Sequence, residues 1–217
     1  MVTLIIATRN AHKISEIQSL MGDGFHCQSL AEFDDVPDPL EDGDNFAANA
    51  NIKASVIALW ISNKYSGRFT DPDTYVLADD SGLEVDALDG APGLHSARFA
   101  ALDTGVEGNS SDADNNAKLL RLLADVPAAS CTARFRCSLV LMSLPHIGTH
   151  HATVFAEGVC EGRINKASQG DGGFGYDPLF IPEGYDRSFG ELEEDIKNRF
   201  SHRAKAVERL KAFFDKR

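Results

Sequence analysis

Val2-Thr3-Leu4-Ile5-Ile6-Ala7 is a continuous apolar run rich in β-branched residues. That pattern predicts a strand covered on both faces rather than one with a wet side. Ile14, Ile17, Leu20 and Met21 then recur at helical spacing with polar residues between them, and Gly22 and Gly24 mark the stop. The chain therefore opens as strand, turn, helix. Phe46, Ala47, Ala50, Ala54, Ile57, Ala58 and Ile61 form a longer helical stripe whose small residues allow close packing on a sheet. Its approach, Pro37 to Gly43, is acidic and loop-like.

Tyr75-Val76-Leu77-Ala78 predicts a strand ending at Asp79-Asp80-Ser81-Gly82, with Leu83 to Leu88 alternating as the next one. Two carboxylates are thereby expected at a strand end. Residues 103 to 116, DTGVEGNSSDADNN, are nearly devoid of apolar side chains and read as a mobile surface loop before a helix bearing Leu119, Leu120, Leu122 and Leu123. Residues 131 to 142 and 150 to 160 read as two long strands joined by a turn with Pro145 and Gly148, hence an antiparallel pair. Ser201 is the expected N-cap of a last helix that buries Ala204, Val207, Leu210 and Phe214.

A length of 217 residues suits one domain, or two lobes sharing a core, and 43% hydrophobic with 25% charged residues excludes disordered and fibrous classes. The formal charge of −12 argues against polymeric nucleic acid, but leaves room for a small polyanion such as a nucleotide if cations or a divalent metal gather locally. The four cysteines form no CxxC pair, the opening apolar run is short for a signal peptide, and no stretch approaches the roughly 20 apolar residues of a membrane span. A cytoplasmic protein with free thiols and no membrane partner is expected, and the Asn109-Ser110-Ser111 sequon is then chance.

Thr8, Arg9, Asn10, Ala11, His12 and Lys13 follow the first strand and open the first helix, where unpaired N–H groups and the dipole favour an anion and Lys13 adds charge. The same residues also read as a plain N-cap by Thr8 or Asn10 beside a solvated lysine. No Walker loop occurs. Asp79 and Asp80 suit a hard cation such as Mg²⁺ or a general base, or else merely a capped turn. On a strand the two would point in different directions, so that one binds and its neighbour supports it.

Gly170-Asp171-Gly172-Gly173-Phe174-Gly175 satisfies GxGxxG, but Pro178 and Pro182 follow where a Rossmann helix would have to start. A loop presenting Phe174, Tyr176 and Asp177 for stacking on a base remains, as does a simple turn between strands. Lys197, Ser201, His202 and Arg203 put cations at the start of the last helix, where the dipole disfavours them, so either a bound anion or Glu193, Glu194 and Asp195 should balance them. His146, His150 and His151 lack a cysteine at ligand spacing and read as a polar turn, while Cys131 and Cys137 read as core.

Taken in order, ATRNAHK, LADDSGLEVDALDGAPGLHSARF, GGFGYDP and the closing SHR resemble the inosine triphosphate pyrophosphatase family nearly end to end. The resemblance implies an α/β fold with a long central mixed sheet flanked by helices, two lobes around a nucleotide cleft, and a homodimer. It further implies Mg²⁺-dependent hydrolysis of ITP, dITP and XTP to the monophosphate and pyrophosphate. By matching motifs, Thr8 through Lys13 correspond to the phosphate-binding opening, Glu41 and Asp80 to the metal-associated acids, and Asp80 also to the proton acceptor. Lys53 and Ser81 correspond to substrate contacts, Phe174, Gly175, Tyr176 and Asp177 to the base loop, and Lys197, His202 and Arg203 to the closing cations. One departure stands out: many bacterial relatives have Glu-Asn-Ala where this chain has Ala48-Asn49-Ala50, so Glu41, Asp79 and Asp80 must supply the acids.

On that reading Lys13 and Lys53 assist pyrophosphate departure, Asp80 with Asp79 activates water, Phe174 stacks on the purine, and His202 and Arg203 donate to O6 and N7 of hypoxanthine or xanthine. Two alternatives share the residues: a broader pyrophosphatase of modified nucleotides, separable by a substrate panel, and a non-catalytic nucleotide sensor, separable by whether ITP releases pyrophosphate.

Overall fold

A computed structural model describes residues 1–105, 107–144 and 152–216. Its strands are β1 (Val2–Ile6), β2 (Phe25–Ser29), β3 (Thr74–Val85), β4 (Thr132–Ser143), β5 (Thr153–Ile164) and β6 (Phe180–Pro182). The helices are α1 (Ala11–Met21), α2 (Phe46–Lys64), α3 (Ala101–Thr104), α4 (Asp112–Leu122), α5 (Glu194–Lys197) and α6 (His202–Phe214). The six strands form one mixed α/β sheet in the order β2-β1-β3-β4-β5-β6. β1 is parallel to both β2 and β3, whereas β5 and β6 are antiparallel. Hydrogen bonds from Ile164 to Cys131 and from Ser143 to Ala152 show that β4 and β5 also run antiparallel, as their sequences predict. The turn expected at Pro145 and Gly148, with His146, His150 and His151, lies outside the described residues.

The chain divides into two compact units, one of residues 1–80, 137–158 and 203–217 and the other of residues 81–136 and 159–202. In the first unit, alternation along β1 sends Leu4 and Ile6 into a core with Ile17, Tyr75 and Leu210, and Ile5 and Ala7 into another with Ala54, Ile57 and Val76. This is the doubly covered strand that the opening apolar run predicts. The second unit has its own core, in which Leu83, Phe99, Leu119, Phe135 and Phe180 meet.

Two expected boundaries are corrected. Asp79 and Asp80 do not end a strand: β3 runs unbroken through Asp79-Asp80-Ser81-Gly82 to Val85. They do lie just beyond the carboxyl end of the parallel partner β1, whose last paired residue, Ile6, sits opposite Leu77. The aspartates remain in a buried strand because cations from elsewhere in the chain meet them, so neither needs the solvent a turn would provide. Nor is 103–116 one long loop. α3 covers its first residues, and α4 starts at Asp112 under a Ser111 cap; residue 106 is not described. Polar residues that disguise this helix bond within the chain, as where Asn115 Oδ1 accepts the Ala100 N–H at 2.8 Å.

Candidate active site

Asn10 settles the start of α1 locally: its side-chain oxygen accepts the N–H groups of His12 and Lys13 at 2.9 and 3.2 Å, and Thr8 Oγ1 accepts that of Asn10. The plain cap is therefore realised, and the two N–H groups are engaged within the chain. Arg9 reaches Asp38 and the Val36 carbonyl on the surface. Lys13 turns inward, its Nζ 2.6 Å from Asp79 Oδ1.

Asp79 is 1% exposed. Its Oδ2 accepts from Arg203 Nε at 2.9 Å and lies 3.3 Å from the Cys137 thiol, and Arg203 Nη1 binds Glu16. Lys13 and Arg203 thus balance Asp79 and Glu16 in a charge-neutral buried quartet. Burial by itself would raise the Asp79 carboxyl, but Arg203 and Lys13 hold it well below the usual carboxylate range. The Cys137 thiol is pushed far upward by burial and by the Asp79 charge.

Asp80, on the other face of β3, has a different environment. Lys53 Nζ lies 2.8 Å from Asp80 Oδ1 and 3.0 Å from Glu41 Oε2, and the side chains of Asp80 and Glu41 keep 12% and 37% of their accessibility. One ammonium between two carboxylates leaves a surplus negative charge that is open to solvent. Burial raises the Asp80 carboxyl above its ordinary value, Lys53 and Lys13 oppose that, and Glu41 adds to it. Lys53 stays protonated, its burial outweighed by Asp80 and Glu41. Asn49, 3% exposed, accepts the Gly43 N–H at 2.8 Å and so fixes the loop carrying Glu41. A side chain at Gly43 would meet Asn49 Oδ1 and Ala48 Cβ at 2.7 and 2.8 Å, which only glycine avoids.

In the second unit, Phe174 through Asp177 form a tied loop. Asp177 Oδ2 accepts both the Phe174 N–H and the ammonium of Lys197, at 3.0 and 2.8 Å. That ammonium also lies 5.3 Å from the centre of the Phe174 ring. The Tyr176 hydroxyl donates to the Ser96 carbonyl at 2.8 Å, and burial together with the Asp112 charge raises its pKa. His202 is 5% exposed and stacks on Phe135 at 4.8 Å.

The Ham1 family model matches residues 4–213. The chain belongs to the Ham1 family. This Ham1 chain is 42% identical over 210 residues to a protein of Exiguobacterium sibiricum named dITP/XTP pyrophosphatase, covering 96% of this chain and 95% of that one. It is 43% identical over 211 residues to a Geobacillus kaustophilus protein of the same name, covering 97% and 93%. The solved HAM1 protein of Coxiella burnetii superposes with a TM-score of 0.79 at 34% identity, covering all of both chains.

For the Ham1 chain, the structure brings Glu41, Lys53 and Asp80 into one cluster, Lys13, Asp79 and Arg203 into another, and Phe174, Asp177 and Lys197 into a third. Ser81 is half-buried within β3. The purine-edge role expected of Arg203 is not what its Nε and Nη1 do, since both meet carboxylates in a side chain 1% exposed. The anions expected near the last helix are supplied by Asp177, Asp79 and Glu16 rather than by Glu193, Glu194 and Asp195. Glu16, Asn49, Asp112 and Asn116 escaped the reading of the sequence. Glu16 had a visible signal, a charged residue beside Ile17 in the buried stripe of α1.

Proposed function

We propose that this Ham1 protein is a nucleoside-triphosphate pyrophosphatase that hydrolyses ITP, dITP and XTP to the monophosphate and pyrophosphate with Mg²⁺. The observation that carries this reading is the open Asp80–Lys53–Glu41 cluster, with its surplus negative charge, beside a neutral and buried quartet. Names of full-length relatives at about 40% identity support the same chemistry.

Mg²⁺ commonly takes one or two carboxylates together with substrate phosphates, and Asp80 and Glu41, two hard oxygen donors converging on one cation, fit that pattern. Asp80 and Glu41 would hold the ion, which when bound neutralises phosphate oxygens and polarises the phosphoryl group. Asp80 orients the attacking water and accepts its proton as the α-phosphorus is attacked. Lys53 stays charged and offsets the charge that develops as pyrophosphate leaves. Lys13 adds field rather than a free ammonium, since Asp79 holds it. Asp79 orients Lys13 and Arg203. Phe174 offers the purine a stacking face. The reading includes a homodimer in the cytoplasm, which the family resemblance supports.

A panel of ITP, dITP, XTP, GTP and ATP, assayed for pyrophosphate release with and without Mg²⁺, tests this reading. Release from ITP, dITP and XTP that stops on chelation, with ATP at least about tenfold slower, is the expected result. Orthophosphate in place of pyrophosphate, or equal use of ATP and ITP, would contradict it.

A further inference from the structure

One face of α4 grips the residue that follows Phe174. Asp112 and Asn116 stand four positions apart on that helix and so project side by side. Asp112 Oδ2 accepts the Gly175 N–H at 2.7 Å, and Asn116 Nδ2 donates to the carbonyl of the same glycine at 3.0 Å. Both backbone polar groups of Gly175 are therefore held from a single helical turn. Gly175 has φ 62°, in the left-handed region that favours glycine, and this turn sets the direction in which the chain presents Phe174. Asp177 fixes the Phe174 N–H from the other side.

Asn116 is 8% exposed, and its Oδ1 accepts no hydrogen bond among the described residues. A buried acceptor left unmatched lowers stability, so the presence of Asn116 is explained by what its amide donor holds. Asp112 is exposed, and its charge-assisted bond to Gly175 is the short member of the pair.

We propose that Asp112 and Asn116 are positioning residues for base recognition, a two-point clamp on Gly175 that presets the Phe174 ring for the purine. The inference rests on the pyrophosphatase reading above. Neither residue touches the substrate; both act through the peptide they hold, before the ligand arrives.

The test pairs kinetics with a binding measurement that needs no turnover. Wild type, Asp112→Ala, Asn116→Ala and Asp112→Asn are assayed for pyrophosphate release from ITP and titrated calorimetrically with IMP. Each alanine variant is expected to raise the KM for ITP and the Kd for IMP by about three- to tenfold, the worth of one such hydrogen bond, with kcat within about twofold of wild type. Asp112→Asn keeps an oxygen acceptor without its charge and is expected to fall between wild type and Asp112→Ala on both measures. General loosening of the fold would instead lower kcat through the active fraction and leave KM unchanged. Alanine variants with wild-type KM and IMP affinity, or with a loss in kcat alone, overturn the clamp while the pyrophosphatase reading stands. A wild-type protein that releases no pyrophosphate from ITP overturns that reading, and the clamp's role with it.

Discussion

Asp79 and Asp80 are the same side chain at consecutive positions, and the pleat of β3 sends them to different tasks. Asp79 meets Lys13 and Arg203 in a closed, neutral cluster, whereas Asp80 shares Lys53 with Glu41 at an open one. Replacing Asp79 by Asn leaves two buried cations short of a counter-charge and should destabilise the protein by about 3–5 kcal/mol at pH 7. Since the folded carboxyl titrates well below its ordinary value of 3.8, that stabilisation is complete above the unfolded-state pKa and drains away as pH falls through the folded one. Urea midpoints of wild type and Asp79→Asn should therefore lie far apart at pH 7 and converge below pH 3.8; a gap independent of pH would remove Asp79 from this role. The adjacent aspartates stood out as a candidate site from their place after an apolar run. That the pleat would part them was legible too, but the partners that enclose Asp79 were not, because Arg203 lies 124 positions away and Cys137 58.

At the scale of elements, periodicity foretold α1, α2, α6 and the long β4–β5 pair, since each buries a regular apolar face. The same logic misplaced the boundaries where polar residues bond within the chain. β3 looked interrupted because two carboxylates normally demand water, and α4 looked shorter than it is because Asp112, Asn115 and Asn116 look like loop residues. In both places long-range hydrogen bonds supply what local sequence cannot reveal. The cap of α1 is the opposite case, a local device that the sequence offers at Thr8 or Asn10 and that Asn10 supplies. Asn10→Ala should cost about 1 kcal/mol, which in a protein of this size lowers the melting temperature by roughly 2–4 °C. An unchanged melting temperature would mean that the two N–H groups Asn10 engages find equal partners elsewhere.

Across the whole molecule, the chain carries a formal charge of −12, yet its candidate chemistry is organised by a few cations, Lys13, Lys53, Lys197 and Arg203, each set against named acids. The first strand was legible as doubly covered from its apolar run, while the α/β class came with the family resemblance that four ordered motifs carried. Two lobes were among the expectations, but with a shared core; that each unit has its own was not legible, because β3, β4 and β5 each supply residues to both and their apolar patterns run on without a break. No described helix is long and apolar enough to cross a membrane. The central claim is that catalysis is centred on Asp80. Its most direct test is kcat/KM for pyrophosphate release from ITP by Asp80→Asn in saturating Mg²⁺, with a thermal melt of the same preparation. The account predicts a fall of at least about 100-fold with the melting transition retained; turnover within about twofold of wild type would contradict it.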